Sequence, residues 1–95
     1  MNNKIVEAIK HQKIVMFSYK GKDRIVEPHT YGTHNHQEIL KGYQTGGKSD
    51  NTVPGWDLFH VSEIKDFKLT EGTFEKPRPD YTKSDKAFER VFCEV

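Results

Sequence analysis

The chain has 95 residues and a formal net charge of +1 at pH 7, which allows one domain with a modest core and no strong overall field for nucleic acid. Hydrophobic residues make up 34% of the chain, so the phenylalanine rings must supply much of that core. No apolar stretch is long enough to cross a bilayer, and the N-terminal segment lacks a signal-peptide core. We therefore expect a soluble cytoplasmic protein with no membrane contact.

The first ten residues have the pattern of a short amphipathic helix. Asn2 or Asn3 is suited to the N-cap, because an asparagine side chain accepts hydrogen bonds from the first free N–H groups. Ile5, Val6 and Ile9 form one apolar stripe. The stripe predicts that the helix packs against the rest of the domain.

Short alternating runs of apolar and polar residues then predict about five antiparallel strands, and the tight turns between them favour a small β-barrel. Gly21 suits the first reversal, and residues 34–37 make the next turn. Pro28 cannot donate to a ladder, so the second strand should be an edge, carry a bulge or bend sharply there.

Two segments interrupt this pattern. Residues 44–55 form a long polar connection, and connections of that length are usually functional or disordered. Residues 75–80 predict an extended crossing, after which apolar residues recur at helical spacing behind Ser84 or Asp85. These apolar residues are Phe88, Val91, Phe92 and Val95. We therefore predict a barrel with an N-terminal helix over residues 1–74, and a tail with a C-terminal helix over residues 75–95 that packs on the same domain.

The order of these segments resembles the WYL domain family over residues 4–70. The resemblance rests on Ala8-Ile9 in the first helix, a strand that ends at Tyr19, the run Arg-Ile-Val-Glu-Pro-His over residues 24–29, Leu40, and the run Phe-His-Val-Ser-Glu-Ile over residues 59–64. It implies an Sm-like or SH3-like small barrel. Most members of this bacterial family are C-terminal parts of transcription factors, in which the domain is thought to sense ligands or bind nucleic acid. This chain looks like a stand-alone member.

The chain departs from the family pattern at several positions. The name-giving Trp-Tyr-Leu triplet falls on residues 38–40, where only Leu40 is retained. Many relatives have an arginine where this chain has Glu63, and this carboxylate reverses the local charge. Trp56 stands at another usually basic position, where it offers stacking instead of charge.

Seven polar and aromatic residues are predicted to bind a ligand, and four of them, Arg24, His29, Tyr43 and Trp56, are expected to share one surface. The full set is Arg24, His29, Tyr31, Lys41, Tyr43, Lys48 and Trp56. An arginine offers a fork for carboxylate or phosphate, and the rings offer stacking faces. The alternative is that Arg24 pairs with Asp23 or Glu27 and that the rings belong to the core.

Other chemistries have weaker patterns. Residues 46–49, Gly-Gly-Lys-Ser, lack the spacing of a phosphate-binding P-loop and fit a flexible hairpin loop. His29, His34 and His36 could meet at zinc, but no cysteine or carboxylate completes a known spacing, so no metal or cofactor is predicted. Cys93 lies in an apolar run that favours a small buried hydrophobe. No nucleophile or carboxylate pair has a catalytic pattern, and we expect no enzymatic activity.

Three functions remain open from the sequence. The leading one is a non-enzymatic, WYL-like regulatory domain that senses a small anionic or nucleotide-like ligand. The first alternative is a barrel that binds single-stranded nucleic acid through Arg24, Lys41, Tyr43, Lys48 and Trp56. The second is an interaction module that pairs with itself, as a homo-oligomer, or with a partner protein through a barrel edge.

Overall fold

A computed structural model describes residues 2–83 and 85–95 of the chain, and this part of the protein contains one α-helix and one six-stranded antiparallel sheet. The elements are α1 (Asn3–Lys10), β1 (Lys13–Tyr19), β2 (Lys22–His34), β3 (Gln37–Gly47), β4 (Gly55–His60), a 3₁₀ turn (Val61–Glu63), β5 (Ile64–Thr73) and β6 (Arg90–Glu94). The strand order is β4-β3-β2-β1-β5, and β6 pairs with β2. The mainly β fold with an N-terminal helix is confirmed.

The sheet does not close into a barrel, and that part of the sequence prediction is wrong. In the described residues, the terminal strands β4 and β5 do not pair with each other. The strand β2 is 13 residues long, and β3 pairs with it along one edge. The other side is shared, since β1 pairs with the first half of β2 and β6 with the second half. Short strands and tight turns in the sequence indicate hairpins, but they do not determine which edges meet.

The predicted start of the helix is confirmed. The Asn2 side chain caps α1, because its Oδ1 accepts the N–H groups of Lys4 at 3.0 Å and Ile5 at 3.2 Å. Ile5 and Ile9 from the predicted stripe are buried, together with Ala8. The helix thus covers one part of the sheet with its apolar side. No described helix has both the length and the apolar character needed to span a membrane.

The two predicted hairpin turns are also confirmed. Lys20 and Gly21 have φ of 52° and 74° between β1 and β2. Asn35 and His36 have φ of 50° and 63° between β2 and β3. Two successive residues with positive φ make the turn whose twist matches that of the flanking strands, which explains the use of glycine and asparagine.

Pro28 lies at a bulge, which is one of the three placements expected for it. The register between β2 and β3 shifts between Pro28 and Thr30. The backbone of β3 approaches closely there, because a Cβ built on Gly42 would lie 2.3 Å from Cγ1 of Val26. β2 can therefore be the central strand of the sheet in spite of its proline.

The core lies between α1 and the sheet. Its ten buried members are Ile5, Ala8, Ile9, Val15, Phe17, Tyr19, Val26, Tyr31, Leu40 and Phe59. The ring of Phe59 contacts the rings of Phe17 and Tyr19 edge to face, each with 5.0 Å between centroids. Only two of the six phenylalanines belong to this central cluster, so branched aliphatic residues supply more of it than the composition suggested.

The predicted C-terminal helix is wrong, because residues 90–94 form strand β6. The apolar residues at helical spacing also fit a strand, in which Phe92 points to one side and its neighbours to the other. The ring of Phe92 packs against Tyr31 with 5.1 Å between centroids. The second half of β2 would otherwise leave one row of backbone groups without partners, and β6 satisfies them. Cys93 is half-buried beside the core, and burial raises its pKa.

Candidate functional site

The seven predicted ligand-binding residues do not form one surface. Tyr43 and Gln44 are neighbours in β3, so their side chains point to opposite faces of the sheet. Tyr43 pairs with Trp56 across β3 and β4. The Gln44 side chain instead accepts a hydrogen bond from Nη1 of Arg24 at 3.3 Å. Arg24 therefore lies on the face opposite Tyr43 and Trp56, and the expectation of one shared surface does not hold for it.

Four of the predicted residues do come together with one that was not predicted. Glu27, His29, Lys41, Tyr43 and Trp56 form a group that we call the aromatic face. Glu27 lies opposite Tyr43, and Tyr43 opposite Trp56, across three neighbouring strands. The Trp56 ring lies 4.7 Å from the His29 ring and 5.4 Å from the Tyr43 ring, between centroids.

The aromatic face is covered by residues 75–83, which we call the strap. Arg78 donates from Nε and Nη2 to the two carboxylate oxygens of Glu27 at 2.6 and 2.8 Å. Its guanidinium carbon lies 4.9 Å from the centre of the Tyr43 ring. The indole N–H of Trp56 donates to the carbonyl of Pro79 at 3.0 Å. The bidentate bond raises the pKa of Arg78 above its usual value.

Asp85, two residues beyond the strap, adds a second charged contact to this face. Asp85 accepts a short hydrogen bond from Nζ of Lys41, and the same ammonium lies 5.3 Å from the centre of the Trp56 ring. The Lys41 bond is the main cause of a pKa of Asp85 below its usual value. The ring of Tyr81 stacks on Trp56 with 6.1 Å between centroids. Lys41 is thus already paired with an anion from its own chain.

His29 is fully buried beneath the strap. Its Nδ1 lies 2.8 Å from the carbonyl oxygen of Glu27, so Nδ1 carries the proton and donates it. Its Nε2 accepts the backbone N–H of Arg78 at 3.1 Å. The ring also stacks on Phe74 with 5.0 Å between centroids. Burial lowers the pKa of His29, which favours the neutral ring that this arrangement requires.

Tyr31 and Lys48 lie away from the aromatic face. Tyr31 is fully buried, and its hydroxyl accepts the backbone N–H of Asn2 at 2.6 Å and donates to Glu38. Burial raises the pKa of Tyr31 to about 12. Lys48 is exposed, and its backbone bonds to Asp23 and to the Gln44 side chain. Tyr31 thus joins the helix start to the sheet, and Lys48 lies in the loop that Gln44 holds.

Arg24 has a different environment from the one expected. Its side chain is 4% exposed, and its Nη2 donates to the carbonyl of Tyr19 at 3.1 Å. The Asp57 carboxylate lies 3.8 Å from Nη1 of Arg24, whereas the Glu27 carboxylate forms its ion pair with Arg78. The rings of Tyr19 and Phe59 flank the guanidinium at 5.5 and 5.8 Å. The Nε of Arg24 has no hydrogen-bond partner among the described residues.

A small pocket opens beside Arg24, where the neighbouring strands β2, β1 and β5 meet. Its volume is about 190 Å³, and it is lined by Met16, Phe17, Asp23, Arg24, Asp66 and Lys68. Buried donors are nearly always satisfied in folded proteins, so the unpaired Nε–H of Arg24, a residue that lines this pocket, is an exception among the described residues. We call this the Arg24 pocket.

The three histidines considered for zinc do not meet. Among residues 2–83 and 85–95, no group of three or more histidine, cysteine, aspartate or glutamate side chains could hold a metal ion. His29 is buried with both ring nitrogens engaged. Nδ1 of His34 bonds to the carbonyl of Ala87 at 2.7 Å, while His36 is exposed.

Sequence reasoning missed the residues that complete both sites. Glu27 belongs to the segment that carries the family resemblance, but it was considered only as an ion-pair partner of Arg24. Arg78 lies between two prolines, which favour an extended backbone and therefore give a signal for a segment that lies across a surface. Asp66 and Lys68 carry no such signal, since only the register of β5 against β1 brings them to the Arg24 pocket.

Comparisons of the chain with protein-family models, curated proteins and solved structures found no match. Membership of the WYL family therefore stays a prediction that rests on the segment order. The function must be argued from the aromatic face and the Arg24 pocket.

Proposed function

We propose that this chain is a non-enzymatic, WYL-like binding domain that senses a small anionic ligand in the Arg24 pocket. The observation that carries the proposal is that Arg24, whose buried Nε–H has no acceptor among the described residues, lines a pocket together with Lys68. An oxyanion is a suitable acceptor, because a charged donor and a charged acceptor make a short, strong hydrogen bond. Lys68 lines the same pocket and supplies a second positive charge.

The size of the pocket restricts the ligand. Pockets for drug-sized molecules usually hold roughly 300–1,000 Å³, whereas this one holds about 190 Å³. It therefore accepts a phosphate group or a small carboxylic acid, and the base of a nucleotide would remain outside. Asp23 and Asp66 also line the pocket, and they suit a ligand that carries hydroxyl or ammonium donors beside its anionic group. Hydroxy acids, amino acids and sugar phosphates have this chemistry.

A regulatory role follows from the bonds around Arg24. Its Nη1 donates to Gln44, whose side-chain nitrogen donates to the carbonyls of Gly46 and Lys48 at 2.9 and 3.1 Å. The guanidinium is therefore two hydrogen bonds away from the polar loop that follows β3. A ligand that shifts the Arg24 side chain changes its hydrogen bond to Gln44 and so the bonds from Gln44 to the loop. A partner protein can recognise the resulting change in the loop.

The SH3-like or Sm-like class implied by the resemblance is part of the same proposal. Antiparallel strands joined by tight turns, with a bulge at Pro28, support it. The unpaired edges of β4 and β5 depart from it. Nucleic-acid binding has no comparable support, because Arg24 is buried and Lys41 is paired with Asp85.

Binding of small anions by the purified protein tests the proposal. Native mass spectrometry would first show whether a small anion copurifies, and calorimetry would then compare inorganic phosphate, glycerol phosphate and malate. Arg24→Lys keeps the charge but removes the Nε–H, and we expect it to weaken binding about 10- to 100-fold, the range for loss of a charged hydrogen bond. Lys68→Met should weaken it as well, whereas Lys4→Met, on the exposed side of α1, should not. Equal affinities for Arg24→Lys and the wild type would refute the role of Arg24.

A further inference from the structure

The aromatic face contacts the strap through aromatic rings and a carboxylate. Proline-rich peptides in the extended polyproline conformation dock on grooves lined by aromatic rings. The strap contains Pro77-Arg78-Pro79, and proline restricts the residue before it to extended backbone. The Trp56 N–H binds a strap carbonyl at 3.0 Å, and the Tyr43 ring faces the Arg78 guanidinium at 4.9 Å.

Charge adds selectivity to these contacts. Glu27 is buried, with 4% of its side chain exposed, and it bonds both of its oxygens to the Arg78 guanidinium. Such a fork requires an arginine, because a lysine presents only one nitrogen. Seven residues further along the chain, Asp85 meets Lys41. The face therefore offers a carboxylate to an arginine and an ammonium to a carboxylate that lies nearer the C-terminus.

The strap lies on the face but does not belong to the hydrophobic core. Residues 75–83 form neither helix nor strand, and all of them except Arg78 and Tyr81 are exposed. The core cluster and the partly buried residues around it include no strap residue within the described chain. A space of about 550 Å³, lined by Glu27 and residues 73–79, remains at the N-terminal half of the strap. The strap is attached at points, as a bound peptide would be.

We propose that the aromatic face is a binding site for an extended, arginine-containing, proline-rich segment of a partner protein, and that the strap is its resident intramolecular occupant. Phe74 and Phe88 are buried before and after the strap, so the strap can leave the aromatic face while these two residues stay in place. A short tether holds the strap at a millimolar effective concentration near the aromatic face. A partner peptide must therefore bind more tightly than the strap in order to displace it at lower concentrations. Weakening the strap should therefore expose the site.

Peptide binding by full-length variants tests this proposal. The probe is a fluorescein-labelled peptide with the sequence of residues 75–87, and the control peptide has alanine in place of its arginine. The chain with Arg78→Ala should bind the probe at least tenfold more tightly than the wild-type chain does, and at least tenfold more tightly than it binds the control peptide. Glu27→Gln in the same variant should abolish that preference for arginine.

The design keeps the proposal open to refutation. If Arg78→Ala disturbs folding, Asp85→Asn removes the charged contact to Lys41 just beyond the strap and should also increase probe affinity. A folded Arg78→Ala chain that binds both peptides equally, or neither of them, would overturn the proposal. The aromatic face and the lining of the Arg24 pocket share no described residue, so the two sites can be tested separately. Arg24→Lys should consequently leave peptide binding unchanged.

Discussion

The backbone N–H of Arg78 donates to Nε2 of the buried His29 at 3.1 Å, and this bond couples the protonation of an imidazole to the position of the strap. The other ring nitrogen donates to the carbonyl of Glu27. If Nε2 were protonated, its N–H would face the backbone N–H of Arg78, and two donors cannot form a hydrogen bond. The strap is therefore held by the neutral form of His29.

Stability should consequently fall in mildly acidic solution. Burial lowers the pKa of folded His29 below its ordinary value of 6.5, although the Glu27 charge opposes this and the charges of Arg78 and Lys41 assist it. The unfolded chain then takes up the proton first as the pH falls. The contribution to stability is complete above about pH 6.5 and is lost between that pH and the lowered folded pKa.

Urea denaturation at intervals between pH 8 and pH 5 would measure this dependence. His29→Gln cannot titrate in that range, and its stability should vary less with pH than that of the wild type. The four remaining histidines and the carboxylates are common to both proteins, so the difference isolates His29. Parallel curves for the two proteins would contradict the assignment.

Tyr31→Phe should destabilise the fold by about 1 kcal/mol, the usual net contribution of a hydrogen bond. The substitution removes the hydroxyl that accepts the N–H of Asn2, the residue that caps α1. Denaturant midpoints would show the loss. Affinities for phosphate and for the strap peptide should remain the same, because Tyr31 lines neither site, and a selective loss of either would return Tyr31 to the binding residues.

Gly32→Ala should detach β6 from the sheet. An added Cβ would lie 2.0 Å from the carbonyl oxygen of Arg90 and 2.9 Å from the Phe88 ring, so the backbone must move. We expect a loss of about 1–3 kcal/mol, as for other overpacked sites, and faster hydrogen exchange in residues 90–94. Gly46→Ala is the matched control, since its nearest neighbour is the flexible end of Ile25 at 3.2 Å. Unchanged exchange in β6 would show that the pairing does not depend on Gly32.

Glu63→Arg tests the surface on which the resemblance to the WYL family predicts an arginine. Glu63 is exposed and shares a pocket with Lys20 and Lys65. We expect the wild type to bind single-stranded oligonucleotides weakly and the variant to bind them more tightly. Each added phosphate contact should steepen the log–log salt dependence by roughly 0.7 to 0.9. Fluorescence anisotropy across a salt series would measure both, and tight, salt-sensitive binding by the wild type would favour the nucleic-acid function instead.

The parts of the fold that could be predicted are those specified by neighbouring residues. Asn2 caps a helix through its own side chain, and Gly21 and Asn35 make turns through their own backbone angles. The C-terminal segment is different, because its apolar spacing fits a helix and a strand equally well. Its structure was decided by the open side of β2, which lies some 60 residues earlier in the chain.

The candidate site likewise has one part that could be predicted from the sequence and another that could not. Tyr43 and Trp56 were expected together, and they are opposite each other in adjacent strands. Arg24 and His29 are an odd number of residues apart in β2, and two register shifts against β3 lie between Arg24 and Thr30. Their faces could not be read from the sequence, since bulges change the alternation. The burial of Arg24 depends on groups from three other strands, to which no local pattern points.

The most direct test of anion sensing observes the unpaired group itself. In ¹⁵N-labelled protein, the side-chain Nε–Hε resonance of Arg24 can be followed while inorganic phosphate or malate is added. We expect this resonance to shift and to saturate with the ligand, and Lys68→Met to require a higher concentration for the same shift. A resonance that stays unchanged while either anion saturates another part of the protein would contradict the proposed role of the Arg24 pocket.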